Sequence, residues 1–176
     1  MTRYFADLEV VPFEPQFEWV HSIDECAHLV NKPHEDYPQR VHLTQIAIRN
    51  LIRTAQLQPL CEILTPLNLA RINVFLGFSE TPSYRQVGVK VGLHVPPMFD
   101  LVPKFMTELY LRHEGGIPTT EALIDWYADL ETIHPFEDGN GRVGGVVVAL
   151  FSHLLRPLSG YLAPKTERTD LELVTT

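Results

Sequence analysis

Cysteine, positive charge and long apolar runs are all scarce in this sequence. Two cysteines, Cys26 and Cys61, stand among 176 residues without paired spacing. That excludes a disulfide framework or a cysteine-built zinc knuckle and reads as two buried, reduced thiols of a cytoplasmic protein. Lys and Arg number 14 against 22 Asp and Glu, a formal net charge of −8. A nucleic-acid reader normally carries a basic stripe, so that class is disfavoured, although one local basic site for a nucleotide phosphate is compatible with an acidic surface. The longest near-apolar run, Val143–Leu155, is broken by Ser152 and His153 and is too short to span a bilayer. Met1–Pro15 mixes acids and prolines into its apolar residues and has no signal-peptide core. No repeat and no low-complexity stretch is present. The expectation is a soluble cytoplasmic protein with neither a membrane nor a nucleic-acid partner.

What is there is ordinary for one globular domain: 45% of residues are apolar, and the length suffices for a real core. The pattern predicts an extended lead-in over residues 1–15, a first helix from about Phe17 to Leu29, and a second from about Gln39 to Gln56 with Val41, Ile48 and Ile52 on one face. Thr65-Pro66 marks a helix start, a hydroxyl cap followed by proline in the first turn, with an end near Gly77. A further helix begins at Asp100 and closes at Gly115-Gly116, and another follows Thr119 or Thr120 and carries Trp126 up to Pro135. A last helix runs from about Asn140 to Leu155, weakened early by Gly144-Gly145. Between the third and fourth helices, Val87, Val89, Val91, Leu93 and Val95 alternate with other residues at strict period two, the mark of strand. A hairpin there is either a small cover on the helices or an exposed edge that another chain can pair with.

Residues 134–142, His-Pro-Phe-Glu-Asp-Gly-Asn-Gly-Arg, concentrate the chemistry. A helix starting near Asn140 presents unpaired N–H groups and the positive end of its dipole to an anion. Gly139 and Gly141 allow close approach of a phosphate, and Arg142 adds a bidentate clamp. Asp138 beside such a site suits Mg²⁺, which takes one or two carboxylates and fills its shell with phosphate oxygens and water. His134 is a candidate base that can take a proton from an attacking hydroxyl. Phe136 is the apolar anchor of the loop. Together these parts describe phosphoryl or nucleotidyl transfer to a hydroxyl. A metal-dependent hydrolase built on His94, His113, His134 and His153 is disfavoured, because no pair has ligand spacing.

The nine residues 134–142 resemble the active-site motif of the Fic family. The helix carrying Trp126 leads into it, and Tyr84-Arg85, the alternating segment to Val95 and Pro96-Pro97 resemble the family's flap and its exit. The resemblance covers roughly residues 40–163 and implies a mainly α fold, a Fic-type helical bundle with a small β-hairpin flap over the active site. It implies an N-terminal extension and first helix over 1–39, a catalytic domain over 40–163 and a polar tail over 164–176. The implied activity is transfer of AMP from ATP to a Ser, Thr or Tyr hydroxyl of a target protein, with His134 as general base and Mg²⁺ held by Asp138. Gly139, Asn140, Gly141 and Arg142 are implied to bind the phosphates. The flap, Arg85, Gln86, Val87, Gly88, Val89, Lys90 and Val91, is implied to hold the target as an added strand. The family motif usually continues to a second arginine, which helps hold the γ-phosphate and pairs with an inhibitory glutamate; here that position is Gly145. The inhibitory pattern of Ser or Thr, three residues, Glu, then Gly or Asn is not found, so any inhibitory partner is not encoded in this sequence. Gly145 opens two alternatives, a weakened binding module or a different nucleotide donor. It also raises the question of a substitute cation, for which Arg71, Arg85, Lys90 and His94 are candidates.

Overall fold

The computed structural model describes residues 13–33, 36–156, 159–165 and 171–174. The lead-in before Phe13 and the tail segments 166–170 and 175–176 lie outside these. Among the described residues the helices are α1 (Ile23–Leu29), α2 (Tyr37–Ala55), α3 (Leu60–Ile63), α4 (Pro66–Phe75), α5 (Val102–Arg112), α6 (Thr120–Ile133) and α7 (Asn140–Leu155). The strands are β1 (Phe17–Val20), β2 (Gly88–Val91), β3 (Tyr161–Pro164) and β4 (Leu171–Val174). The mainly α architecture expected from the sequence is what is seen, and no described helix is long and apolar enough to cross a membrane.

The fold is organised around α7. Every residue from Val143 to Ser152 is buried, because the sequence there is apolar on all sides and can only sit in the middle of other elements. Helices α6, α2, α4 and α1 and strand β3 surround it. Trp126 and Leu130 of α6, Ile48 of α2 and Leu69 of α4 enter the same core. So do Val20 and Cys26 from the N-terminal segment, so residues on both sides of position 39 share one interior. Burial pushes the Cys26 thiol up to about 12, which makes it an inert packing residue.

Local chemistry sets the helix boundaries. Thr65 accepts from the Asn68 N–H at 3.3 Å and Thr119 from the Ala122 N–H at 3.1 Å, each capping the helix that follows. A short 3-10 turn over Phe99–Leu101 precedes α5 where a continuous helix from Asp100 was expected. The first expected helix is also corrected. Phe17–Val20 is a strand, paired antiparallel with β3 from Phe17↔Pro164 to Val20↔Tyr161. Ser22 then caps α1 through the Glu25 N–H at 3.1 Å, so the helix cannot begin earlier.

The hairpin is shorter than the alternation suggested. Only Gly88–Val91 is strand, and its return arm forms a single bridge in which Val91 and His94 exchange N–H···O bonds of 2.9 Å. The ladder stops because Pro96-Pro97 offers no N–H and because His94 turns inward, its Nε2 lying 3.0 Å from the Thr132 carbonyl oxygen. The full-length partner of β2 is β4, antiparallel from Gly88↔Val174 to Val91↔Leu171. The edge implied to receive a target therefore carries a segment of the same chain.

Arg85 fastens this flap to the helix pair α6–α7. Its side chain is 2% exposed. Nε donates to the His134 carbonyl at 2.8 Å, Nη1 to the Val87 carbonyl at 2.8 Å, and Nη2 to the carbonyls of Pro97 and Ile133. Its backbone N–H donates to the Pro135 carbonyl at 2.9 Å. Burial lowers the guanidinium to about 10, so it stays charged at neutral pH. Arg85→Met leaves several buried carbonyls without a donor and is expected to cost about 3–5 kcal/mol. Urea unfolding checks this, and an unchanged midpoint contradicts it.

Candidate active site

The six residues between α6 and α7 form the base of the site. His134 ends α6 in the left-handed conformation, φ 49°, with its N–H still bonded to the Leu130 carbonyl at 2.9 Å. A non-glycine residue adopts that backbone only when its surroundings fix it. Here Arg85 fixes it by holding the carbonyls on either side. The imidazole is 7% exposed, with Nδ1 3.6 Å from Oε2 of Glu131 one helical turn earlier. Nδ1 is thus the ring nitrogen that faces the Glu131 carboxylate. Glu131 is itself buried, and its Oε1 has no partner among the described residues. Next to it the Tyr127 hydroxyl is held protonated well above its ordinary range by burial first and by the Glu131 charge second.

Asn140 closes the loop. Its Oδ1 accepts from the Phe136 N–H at 2.9 Å and its Nδ2 donates to the Phe136 carbonyl at 2.8 Å. The side chain is thus committed to the loop, and what Asn140 offers a phosphate is backbone at the start of α7. Gly139 caps α7 with φ 86°, and a Cβ there would stand 2.3 Å from Cδ2 of Phe78. Only glycine satisfies both constraints. Asn73 supports the turn from α4 by donating to the Asp138 carbonyl at 2.8 Å.

Asp138 and Arg142 face each other at the rim. Arg142 Nη2 lies 2.6 Å from Asp138 Oδ1, and Arg40 Nη1 is 3.8 Å from Oδ2. Arg142 stacks on the Phe78 ring at 3.8 Å and Arg40 at 4.8 Å. Burial lowers the Arg142 guanidinium from its ordinary value, an effect the Asp138 carboxylate opposes. The Asp138 side chain remains 55% exposed. No cluster of three His, Cys, Asp or Glu suited to an ion occurs among the described residues. One exposed carboxylate beside a helix N-terminus suits Mg²⁺ that arrives on phosphates and does not suit an ion held by protein alone.

The structure brings His134, Asp138, Gly139, Asn140, Gly141 and Arg142 to one cavity of about 160 Å³. Of the flap residues only Val91 lines it. Val89 is buried and Val87 is 40% exposed, on the outer part of the flap. Arg85, expected to face a target, is an internal strut. It supplies no substitute cation to the cavity, nor does His94, which is spent on the Thr132 carbonyl. Arg71 belongs to a separate apolar cavity of about 350 Å³ between α2 and α4, and Lys90 does not line the motif cavity. The remaining histidines are dispersed, His153 stacking on Tyr161 and His113 lying beside Arg112. Sequence reading missed Glu131, Phe78, Asn73 and Arg40. Glu131 alone left a signal, an acid three residues before the histidine on the same helical face.

Gly145 has a steric reason. A Cβ there would lie 2.5 Å from Cγ1 of Val30 and 3.7 Å from Cδ of Pro164. The space an arginine would need is filled by the end of α1 and the end of β3. Gly145→Arg is therefore expected to destabilise the fold by about 2 kcal/mol, and adding Val30→Ala is expected to recover part of that. Urea unfolding of the two variants checks this. A Gly145→Arg protein as stable as the parent contradicts it.

The chain is similar to known proteins in sequence and in fold. The Fic/DOC family model matches residues 64–152, which contain α4, the flap and the whole motif. A probable protein adenylyltransferase of Aquifex aeolicus is 32% identical over 80 residues, covering 43% of this chain and 25% of that protein. The crystal structure of a Fic family protein from Desulfovibrio desulfuricans G20 superposes with a TM-score of 0.53 at 28% identity, covering 76% of this chain and 43% of that one. The chain thus spans a quarter to under half the length of these relatives. With the matched half of the chain holding the motif, its loop and its flap, the chain belongs to the Fic/DOC family.

Proposed function

We propose that this chain is a Mg²⁺-dependent nucleotidyltransferase that moves AMP from ATP to a Ser, Thr or Tyr hydroxyl of a target protein. The observation that carries the reading is the convergence of His134, Asp138, Arg142 and the α7 N-terminus on one cavity. The similarity to a probable protein adenylyltransferase supports it.

The N–H groups opening α7 and the Arg142 guanidinium bind and orient the donor phosphates. Gly139 and Gly141 keep side chains out of the approach. Nε2 of His134 takes the proton of the target hydroxyl, whose oxygen attacks the α-phosphorus as the α–β phosphoanhydride bond breaks and pyrophosphate leaves. The Glu131 carboxylate, 3.6 Å from Nδ1, stabilises the imidazolium that forms. Asp138 would hold Mg²⁺, which when bound supplies charge neutralisation on the phosphates. The target segment docks as an extended strand along β2. The pairing of β4 with that strand supports such docking, since an extended segment is accepted there in antiparallel register. A target using the same edge displaces β4.

The test is incubation with Mg²⁺, a cell lysate and ATP labelled at either the α- or the γ-phosphate. Protein labelling from the α-position is expected, with a rate falling ~10²–10⁴-fold in His134→Ala. Label from the γ-position alone means phosphoryl transfer, and labelling untouched by His134→Ala removes the base from the mechanism.

A further inference from the structure

We infer that Lys32 and Lys165 bind the terminal phosphates of the nucleotide, supplying from outside α7 the positive charge that Gly145 withholds. The inference rests on the nucleotide-binding reading above and deepens it.

The two segments that close off Gly145 are those that contribute Val30 and Pro164. Both residues line the motif cavity together with His134, Gly139 and Arg142. Each segment places a lysine immediately beyond its plug. Lys32 follows Val30 by two residues in the turn after α1, Lys165 follows Pro164 directly at the end of β3, and both line the same cavity. The packing that prevents a cation at position 145 therefore delivers two cations to the same wall.

Charge balance favours this assignment. Arg142 is tied to Asp138, and Arg40 is shared between Asp36 and Asp138. The cavity is also lined by Glu131, Glu137 and Asp138, so a polyphosphate extending from the α7 N-terminus adds to more negative charge than Arg142 and one Mg²⁺ offset. Lys32 is exposed and makes no ion pair among the described residues. Lys165 pairs with Glu18 at 2.9 Å, but the two side chains are 43% and 50% exposed. Such a pair holds a lysine weakly and yields to a phosphate. Backbone anchoring keeps the lysine in place, because the Lys165 N–H donates to the Gln16 carbonyl at 2.8 Å. Lysine is suited to the role as a compact, mobile point charge on a flexible stem.

The test is calorimetric titration of the full chain with Mg²⁺ and ATP, ADP or AMP. The variants are Lys32→Gln, Lys165→Gln, the double variant, Arg142→Ala and, as a remote control, Lys104→Gln. The expected result is a loss of ATP affinity of roughly tenfold in the double variant, with AMP affinity and the Lys104→Gln control unchanged. Unchanged ATP affinity in the double variant, with binding still abolished by Arg142→Ala, overturns this inference and leaves the nucleotide site standing. Equal losses for ATP and AMP overturn it too, since the lysines would then not read the distal phosphates. Absence of nucleotide binding by the unsubstituted chain overturns both readings.

Discussion

The buried guanidinium of Arg85 is the interaction on which the site depends. One side chain donates to carbonyls at the end of α6, at His134, at Val87 and at Pro97. The end of any helix leaves carbonyls without intrahelical partners. Here a cation from the flap satisfies them, so the helix end, the left-handed turn at His134 and the base of the flap become one unit. His94 reinforces the same end of α6 through Thr132. The flap's position is thus coupled to His134 by direct hydrogen bonds.

Helix α7 meets two demands. Its interior must be apolar on all sides to fill the centre of the domain, while its first turn opens on the motif cavity. The Gly139 cap, the Asn140 clamp on Phe136 and the Phe78 ring beneath Gly139 and Arg142 separate these demands within four residues. The same helix explains Gly145. One turn in, α7 is already core, and Val30 and Pro164 pack where an arginine side chain would have to leave the helix.

Much of this was legible in the sequence because it is local. The bounds of α7, the Thr65 and Thr119 caps and the loop over 134–139 follow from residues next to each other in the chain. Phe17–Val20 was misread because four residues of ambiguous pattern were decided by pairing with β3, about 145 positions away. The return arm of the hairpin was misread because alternation cannot reveal that His94 turns inward. Arg85 reads as a surface flap residue, since nothing near it in sequence announces the carbonyls of Pro97, Ile133 and His134 gathered from elsewhere. Asn73, Phe78 and Arg40 reach the motif from α4, its exit and α2, and only the fold brings them there.

Under the proposed function, donor phosphates bind at the N-terminus of α7. The most direct measurement is a titration of the isotopically labelled chain with Mg²⁺ and a non-hydrolysable ATP analogue, followed through the backbone amide signals. Saturable shifts centred on Gly139, Asn140, Gly141, Arg142 and Val143 are expected. Shifts confined to the larger apolar cavity lined by Leu51, Ile72 and Phe75, with the α7 amides unmoved, would contradict that function.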